Sequence, residues 1–148
     1  MTRGYAVALT IPDNAAFTAL VTLQRLGVAC DELQRAEIYL FDVDPEHVEA
    51  LDRSVPMLET IYNPNKHRLR GCGAAPEPGE VWIGDWGTEV AVRGPALRIA
   101  GRELAGVRTL RRYTSWRLRA GGTDVIESVR RAAVEKLLLN PAYQEAIG

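Results

Sequence analysis

The stretch Tyr39-Leu40-Phe41-Asp42-Val43-Asp44-Pro45-Glu46-His47-Val48 changes its hydrophobic period partway along. Tyr39, Phe41 and Val43 alternate with other residues as one face of a strand does, within a strand region from Leu33 to Val43 that is either a hairpin or one long bent strand. Asp44-Pro45 then starts a helix, with Asp44 as cap and Pro45 at the first helical position. Val48, Leu51, Val55, Leu58 and Tyr62 follow at spacings of 3, 4, 3 and 4, which predicts a buried helical stripe. Pro56 should kink or split that helix, and Asn63-Pro64 stops it. A strand running straight into an amphipathic helix makes this an α+β chain.

Upstream, Tyr5 to Ile11 is rich in strand formers and ends at Pro12. Asp13 or Asn14 can cap a following helix whose apolar stripe is Ala16, Phe17, Leu20, Val21 and Leu23, and Gly27 suits the left-handed residue that closes it. Downstream lies a basic tail, Lys66-His67-Arg68-Leu69-Arg70, where the charge of His67 would favour the carbonyls at a helix end. Gly71 to Glu80 holds three glycines and two prolines, too many for a helix or a central strand. It predicts a linker at about 71–80 that divides the chain into units 1–71 and 72–148. The first half carries 7 basic and 10 acidic residues, the second 11 and 9, so their net charges have opposite sign.

The second half reads in a similar order. Glu89 to Arg93 predicts a short strand broken by Gly94-Pro95, and residues 96–104 predict a short helix weakened by Gly101. Val107 to Ala120 predicts a strand, Gly121-Gly122 a turn, and Asp124 a cap, with Glu127 three positions on as a capping box prefers. Val125, Ile126, Val129, Ala132, Ala133, Leu137 and Leu138 supply the apolar face of the helix that follows, and Asn140-Pro141 ends it. A constant shift of 77 places Tyr39 on Trp116, Arg35 on Arg112, Val48 on Val125 and Asn63-Pro64 on Asn140-Pro141. The two halves therefore read as an internal repeat. At about 70 residues each, such halves are marginal as lone cores and should pack against each other or against another chain.

Composition bounds the function. With 148 residues and 47% hydrophobic content the chain has a core to bury, which argues against disorder. No apolar run approaches the roughly 18 residues of a membrane span, and no signal-peptide hydrophobic stretch follows Met1. Cys30 and Cys72 are too few for a disulfide framework and read as reduced thiols of a cytoplasmic protein. A net charge of −1 exerts no general pull on nucleic acid or anionic lipid.

Sequence motifs assign no catalytic, cofactor or metal residues. His47 and His67 are the only near-neutral acid–base groups, and neither lies in metal-ligand spacing. HExxH, GxSxG, Walker and GxGxxG motifs are absent, and Gly84-Asp85-Trp86-Gly87 reads as a hairpin turn. Asp42 and Asp44 could share a strand face, but Asp44 is better explained as a cap. The unusual feature is Arg108, Arg111, Arg112, Arg117 and Arg119 with Tyr113 and Trp116 among them. Such a strand suits a protein interface, a solvated edge, an anionic small molecule or single-stranded nucleic acid. The near-neutral overall charge counts against the last of these.

The run Val129-Arg130-Arg131-Ala132-Ala133-Val134-Glu135-Lys136-Leu137-Leu138-Leu139-Asn140-Pro141, with Glu145 after it, resembles PurS, the small subunit of bacterial and archaeal phosphoribosylformylglycinamidine synthase. Leu58 to Pro64 looks like a second, looser copy. Where that family commonly carries Gly-Lys after a strand arginine, Arg35 is followed by Ala36-Glu37-Ile38 and Arg112 by Tyr113-Thr114-Ser115. The resemblance implies two PurS-like, ferredoxin-like units in tandem, with antiparallel sheets covered on one face by helices. It also implies a non-catalytic subunit of a purine-biosynthesis amidotransferase complex, one that forms homo-oligomers or joins a glutaminase to a synthetase subunit.

Overall fold

The computed structural model describes residues 1–87, 89–91 and 96–148. It is α+β with antiparallel sheet. The elements are β1 (Thr2–Leu9), α1 (Asn14–Arg25), β2 (Glu32–Val43), α2 (Val48–Ser54), β3 (His67–Cys72), β4 (Glu80–Asp85), β5 (Val90–Ala91), β6 (Leu97–Ile99), β7 (Arg102–Leu104), β8 (Val107–Ala120), β9 (Thr123–Asp124), α3 (Glu127–Ala133) and β10 (Gln144–Ile147). Two compact units arise, and each draws on both halves of the sequence. The first holds Met1–Ile11, Glu37–Ala74 and Thr88–Arg112; the second holds Pro12–Ala36, Ala75–Gly87 and Tyr113–Gly148. The boundaries 1–71 and 72–148 mark the repeat along the chain, whereas the packed units follow a different division.

In the first unit the strand order is β8-β2-β1-β3, with β5 also paired to β8. Tyr5 of β1 lies opposite Tyr39 of β2 on one side and Gly71 of β3 on the other. Tyr5, Val7, Phe41 and Val43 share the apolar face that the alternation predicts, and Leu51, Val55 and Leu58 pack onto it. Pro56 divides the helical stretch as expected, leaving α2 followed by a 3-10 turn at Val55–Met57. Asp44 corrects one expectation: it makes no side-chain cap bond, and a 3-10 turn at Pro45–His47 precedes α2. The tail Lys66–Arg70 differs too, because His67–Cys72 is the strand β3 and not a helix end. Residues 96–104 hold no helix. Leu97–Ile99 and Arg102–Leu104 form a hairpin whose Leu97 and Leu104 enter this core. Ala100 (φ 51°) and Gly101 (φ 75°) turn it, and two successive positive φ values are what a tight two-residue hairpin turn requires. Of the strand expected over Glu89–Arg93, Val90–Ala91 is strand and Glu89 is not, while Val92, Arg93 and Gly94-Pro95 lie outside the described residues.

In the second unit the order is β2-β8-β4-β10, with β9 on β8. Asp13 caps α1 by accepting from the Ala16 N–H at 3.1 Å, and Gly27 follows the helix at φ 83°. Leu23 and Val28 join Leu33, Val81, Ile83, Leu118, Ala133 and Leu138 in the core. Strand β4 was not anticipated, because Pro76, Pro78 and Gly79 mask its start. Asp124 is not a helix cap: it belongs to β9, and α3 begins after Ile126 with no side-chain cap. Beyond α3 the chain widens into a π-helical turn over Val134–Leu138.

The pairing registers repeat between the two halves. Gly4 lies opposite Leu40 as Glu80 lies opposite Arg117, and Leu9 opposite His67 as Asp85 opposite Gln144. The first strands are thus related by a shift of 76 and the later elements by 77. The turn before the last strand also repeats. Asn63 Oδ1 accepts from Asn65 N–H at 2.9 Å, and Asn140 Oδ1 from Ala142 N–H at 3.1 Å. The first connection is where the halves differ in form, since α1 stands in one and the β6–β7 hairpin in the other. Each of these lies in the unit that contains the other half's first strand.

Candidate functional site

β8 runs unbroken for 14 residues and carries Arg108, Arg111, Arg112, Tyr113, Trp116, Arg117 and Arg119. Arg108, Arg111 and Arg112 fall in the first unit, and Tyr113, Trp116, Arg117 and Arg119 in the second. Four of the five arginines are engaged by carboxylates. Arg108 donates to Asp44 Oδ1 from Nη2 at 3.0 Å and from Nε at 3.3 Å. Arg111 lies 3.8 Å from Glu89. Arg117 is bound by Glu77, with Glu80 at 3.8 Å and Asp124 at 3.7 Å, and Arg119 lies 3.4 Å from the same Asp124. Arg117 is the most deeply set: Glu80 is buried, accepts from the Trp82 indole N–H at 2.6 Å, and would be left charged and undercompensated without it. Arg108 is mostly exposed, and its pair contributes below about 1 kcal/mol. Tyr113 is buried and stacks on Trp82 at 5.7 Å. The chain's own acids thus neutralise most of the strand.

Arg112 is held differently. Its guanidinium lies over the ring of Tyr39, 5.3 Å from the centroid, and burial pushes the Tyr39 phenol above its ordinary range while Arg112 opposes that rise. In the second unit Arg35 lies over Trp116 at 6.0 Å and donates to Asp13 Oδ2 at 2.9 Å. Arg35 and Arg112 are repeat equivalents, as are Tyr39 and Trp116. Each arginine therefore covers the aromatic of the opposite half. Stacks of this kind stabilise by about 0.5–1 kcal/mol at partly exposed sites.

Sequence reading did not single out a polar triad in the first unit. Tyr5 donates its hydroxyl to Asp52, and Arg3 donates to the same carboxylate from Nε at 3.0 Å and Nη2 at 3.3 Å. Burial and the bond to Asp52 push the Tyr5 phenol well above its ordinary range. Burial opposes charge on Asp52, but the hydrogen bonds from Tyr5 and Arg3 outweigh it and hold the carboxyl below the usual range. Arg3 and Tyr5 share a strand face, which was the available signal. Asp52, next to Leu51 in a buried stripe, gave none. The repeat positions of Tyr5 and Asp52 are Val81 and Val129, which lie in or against the apolar core of the second unit.

His67 corrects its expected role. Its Nδ1 accepts the Asn63 N–H at 2.9 Å, so the ring is neutral there, and burial together with Lys66 holds its pKa below the ordinary value. Asp44, Glu46 and His47 bring their ligand atoms within 4.8 Å of one another, and His47 Nδ1 lacks a hydrogen-bond partner. Arg108 already occupies Asp44, so a cation stands where a metal would need the carboxylate free. Among the described residues no helix is long and apolar enough to cross a membrane. Comparison with protein-family models and with curated proteins gave no match.

Proposed function

We propose that this chain is a non-catalytic, PurS-like bridging subunit made of two ferredoxin-like units in tandem, acting in the cytoplasm in a phosphoribosylformylglycinamidine synthase-type amidotransferase complex. The observation that carries the reading is the repeated register. Two halves with the same strand pairing, each arginine covering the other half's aromatic, resemble a dimer joined in one chain. Exposed Phe17, Met57 and Ile126 provide apolar contact surface beyond that core. Mixing the purified chain with the glutaminase and large synthetase subunits from the same cell tests it. The expected result is one sedimenting complex with glutamine-dependent amidine formation; full activity without the chain, or no complex, overturns the proposal.

Binding of an anionic metabolite along β8 is the second reading. It has less support, because Arg108, Arg111, Arg117 and Arg119 are each paired with a carboxylate of the chain. Arg112, held over a ring, is the cation on which it rests. A small enzyme would need His47, His67 or a carboxylate in a concave site, and of these His67 is committed to a backbone bond.

A further inference from the structure

The internal repeat offers a comparison within one molecule: positions that do the same backbone work in both halves, yet carry different side chains, are the ones the fold itself does not dictate. The outer strands are such a pair. β3 pairs with β1 on one side and β10 with β4 on one side, and no other strand among the described residues pairs with either. At the mouth of each hairpin-like pair the same backbone bond is made, Thr10 N–H to Lys66 O at 2.9 Å and Trp86 N–H to Tyr143 O at 2.9 Å. Thr10 and Lys66 suffice for that junction. In the second half it carries two aromatics that are 58% and 53% exposed, which is far from where such rings normally lie.

The contrast continues along the strands. Lys66, Arg68 and Arg70 alternate on one face of the first edge, all exposed, and none has an ion-pair partner among the described residues. Their repeat equivalents are Tyr143, Glu145 and Ile147, also exposed, with Glu145 likewise unpaired. One edge is thus cationic and the other aromatic and acidic. Pairing like edges would set arginine against arginine or glutamate against glutamate, which is unfavourable for directly opposite residues. Pairing unlike edges in antiparallel register sets Arg68 opposite Glu145, and the same register sets Arg70 opposite Tyr143, beside Trp86. That combines an ion pair with cation–π contact and main-chain hydrogen bonds.

We propose that copies of this chain associate head to tail, the β3 edge of one copy adding to the β10 edge of the next, with Trp86 and Tyr143 as the aromatic anchor and Arg68 and Arg70 as the cations they receive. The contact is heterologous, so each copy keeps one free edge of each kind until a ring closes or the chain of copies ends. This inference needs no glutaminase or synthetase, so it stands or fails apart from the bridging role.

Sedimentation velocity of the full chain over a concentration series tests it, with the exposed-site variants Arg68→Glu/Arg70→Glu and Trp86→Ala/Tyr143→Ala and circular dichroism to confirm folding. The wild type should gain mass with concentration, less so in high salt, and each double variant should weaken association at least about tenfold, as loss of a central aromatic or charged anchor does. Mixing the two variants is the discriminating arm, because each retains one intact edge: a 1:1 complex that grows no further is expected. A wild type that stays monomeric throughout overturns the proposal and leaves the arginines as guards of an unpaired edge. Association that survives both variants, or a mixture that does not pair, overturns it as well.

Discussion

Asp52 is the residue on which the local polar chemistry of the first unit turns. It takes the Tyr5 hydroxyl and the Arg3 guanidinium at once, and its carboxyl pKa is depressed in the folded protein. A depressed carboxyl pKa contributes stability that is present above the unfolded value and lost as pH falls through the folded one. Asp52→Ala should strand the buried Tyr5 hydroxyl and cost about 1–3 kcal/mol in urea unfolding near neutral pH. It should also flatten part of the acid limb of the stability profile. His67 gives the complementary prediction. Its folded pKa lies below the ordinary value because the ring is partly buried and sits beside the Lys66 charge, so its contribution is present above the unfolded pKa and declines as pH falls through the folded one. The equivalent of its bond from Asn63 N–H is accepted in the other half by Gln144 Oε1 from Asn140 N–H at 2.9 Å. His67→Gln should therefore keep the turn and remove this decline, read as a smaller drop in melting temperature between pH 7 and pH 5 than the wild type shows.

At the scale of elements, the β6–β7 hairpin shows how a local pattern can mislead. Residues 96–104 hold apolar side chains at both 97 and 104, a spacing compatible with a short helix and equally with opposite ends of a hairpin; the two leucines face each other across the strands. The deciding feature is the pair Ala100-Gly101, both at positive φ, where a non-glycine residue costs roughly 1–2 kcal/mol. Ala100→Gly should raise stability by up to about 1 kcal/mol, measured as a shift in the denaturation midpoint, the gain being reduced by glycine's larger unfolded-state entropy. Loss of stability on that substitution would show that the Ala100 side chain has a packing role outweighing the backbone cost.

At the scale of the molecule, each packed unit takes elements from both halves of the chain. The first unit's core includes Leu97 and Leu104 from the second half; the second unit's core includes Leu23, Val28 and Leu33 from the first. Fragments 1–71 and 72–148 each lack part of every core they contribute to. Expressed separately, they should show the spectra and protease sensitivity of unfolded or molten chains. Mixed or co-expressed, they should yield a stable 1:1 complex with native circular dichroism. Two fragments that fold independently and do not associate would contradict this account of the packing.

Much of this was legible in the residues alone. Alternation at Tyr39, Phe41 and Val43, a cap at Asp13 or Asn14 and the long strand Val107–Ala120 follow from local sterics and hydrogen bonding, which nearest neighbours in sequence decide, whereas the helix expected to run to Asn63-Pro64 already ends in the 3-10 turn at Val55–Met57. The repeat was legible for the same reason, since equivalent local patterns recur at a fixed shift. Where Asp124 points, that His67 accepts, that Arg112 covers Tyr39, and that the basic and aromatic edges are both open were not legible. Each depends on which distant strand arrives alongside, and that is settled by the burial of apolar faces over the whole chain: Asp124 meets Arg117 and Arg119 because β9 pairs with β8. Sequence determined elements such as α1, β2 and β8 and the recurrence of local patterns; the tertiary structure alone decided β3, β4, the β6–β7 hairpin and which half completes which core, because only pairing across the halves brings the buried apolar faces together.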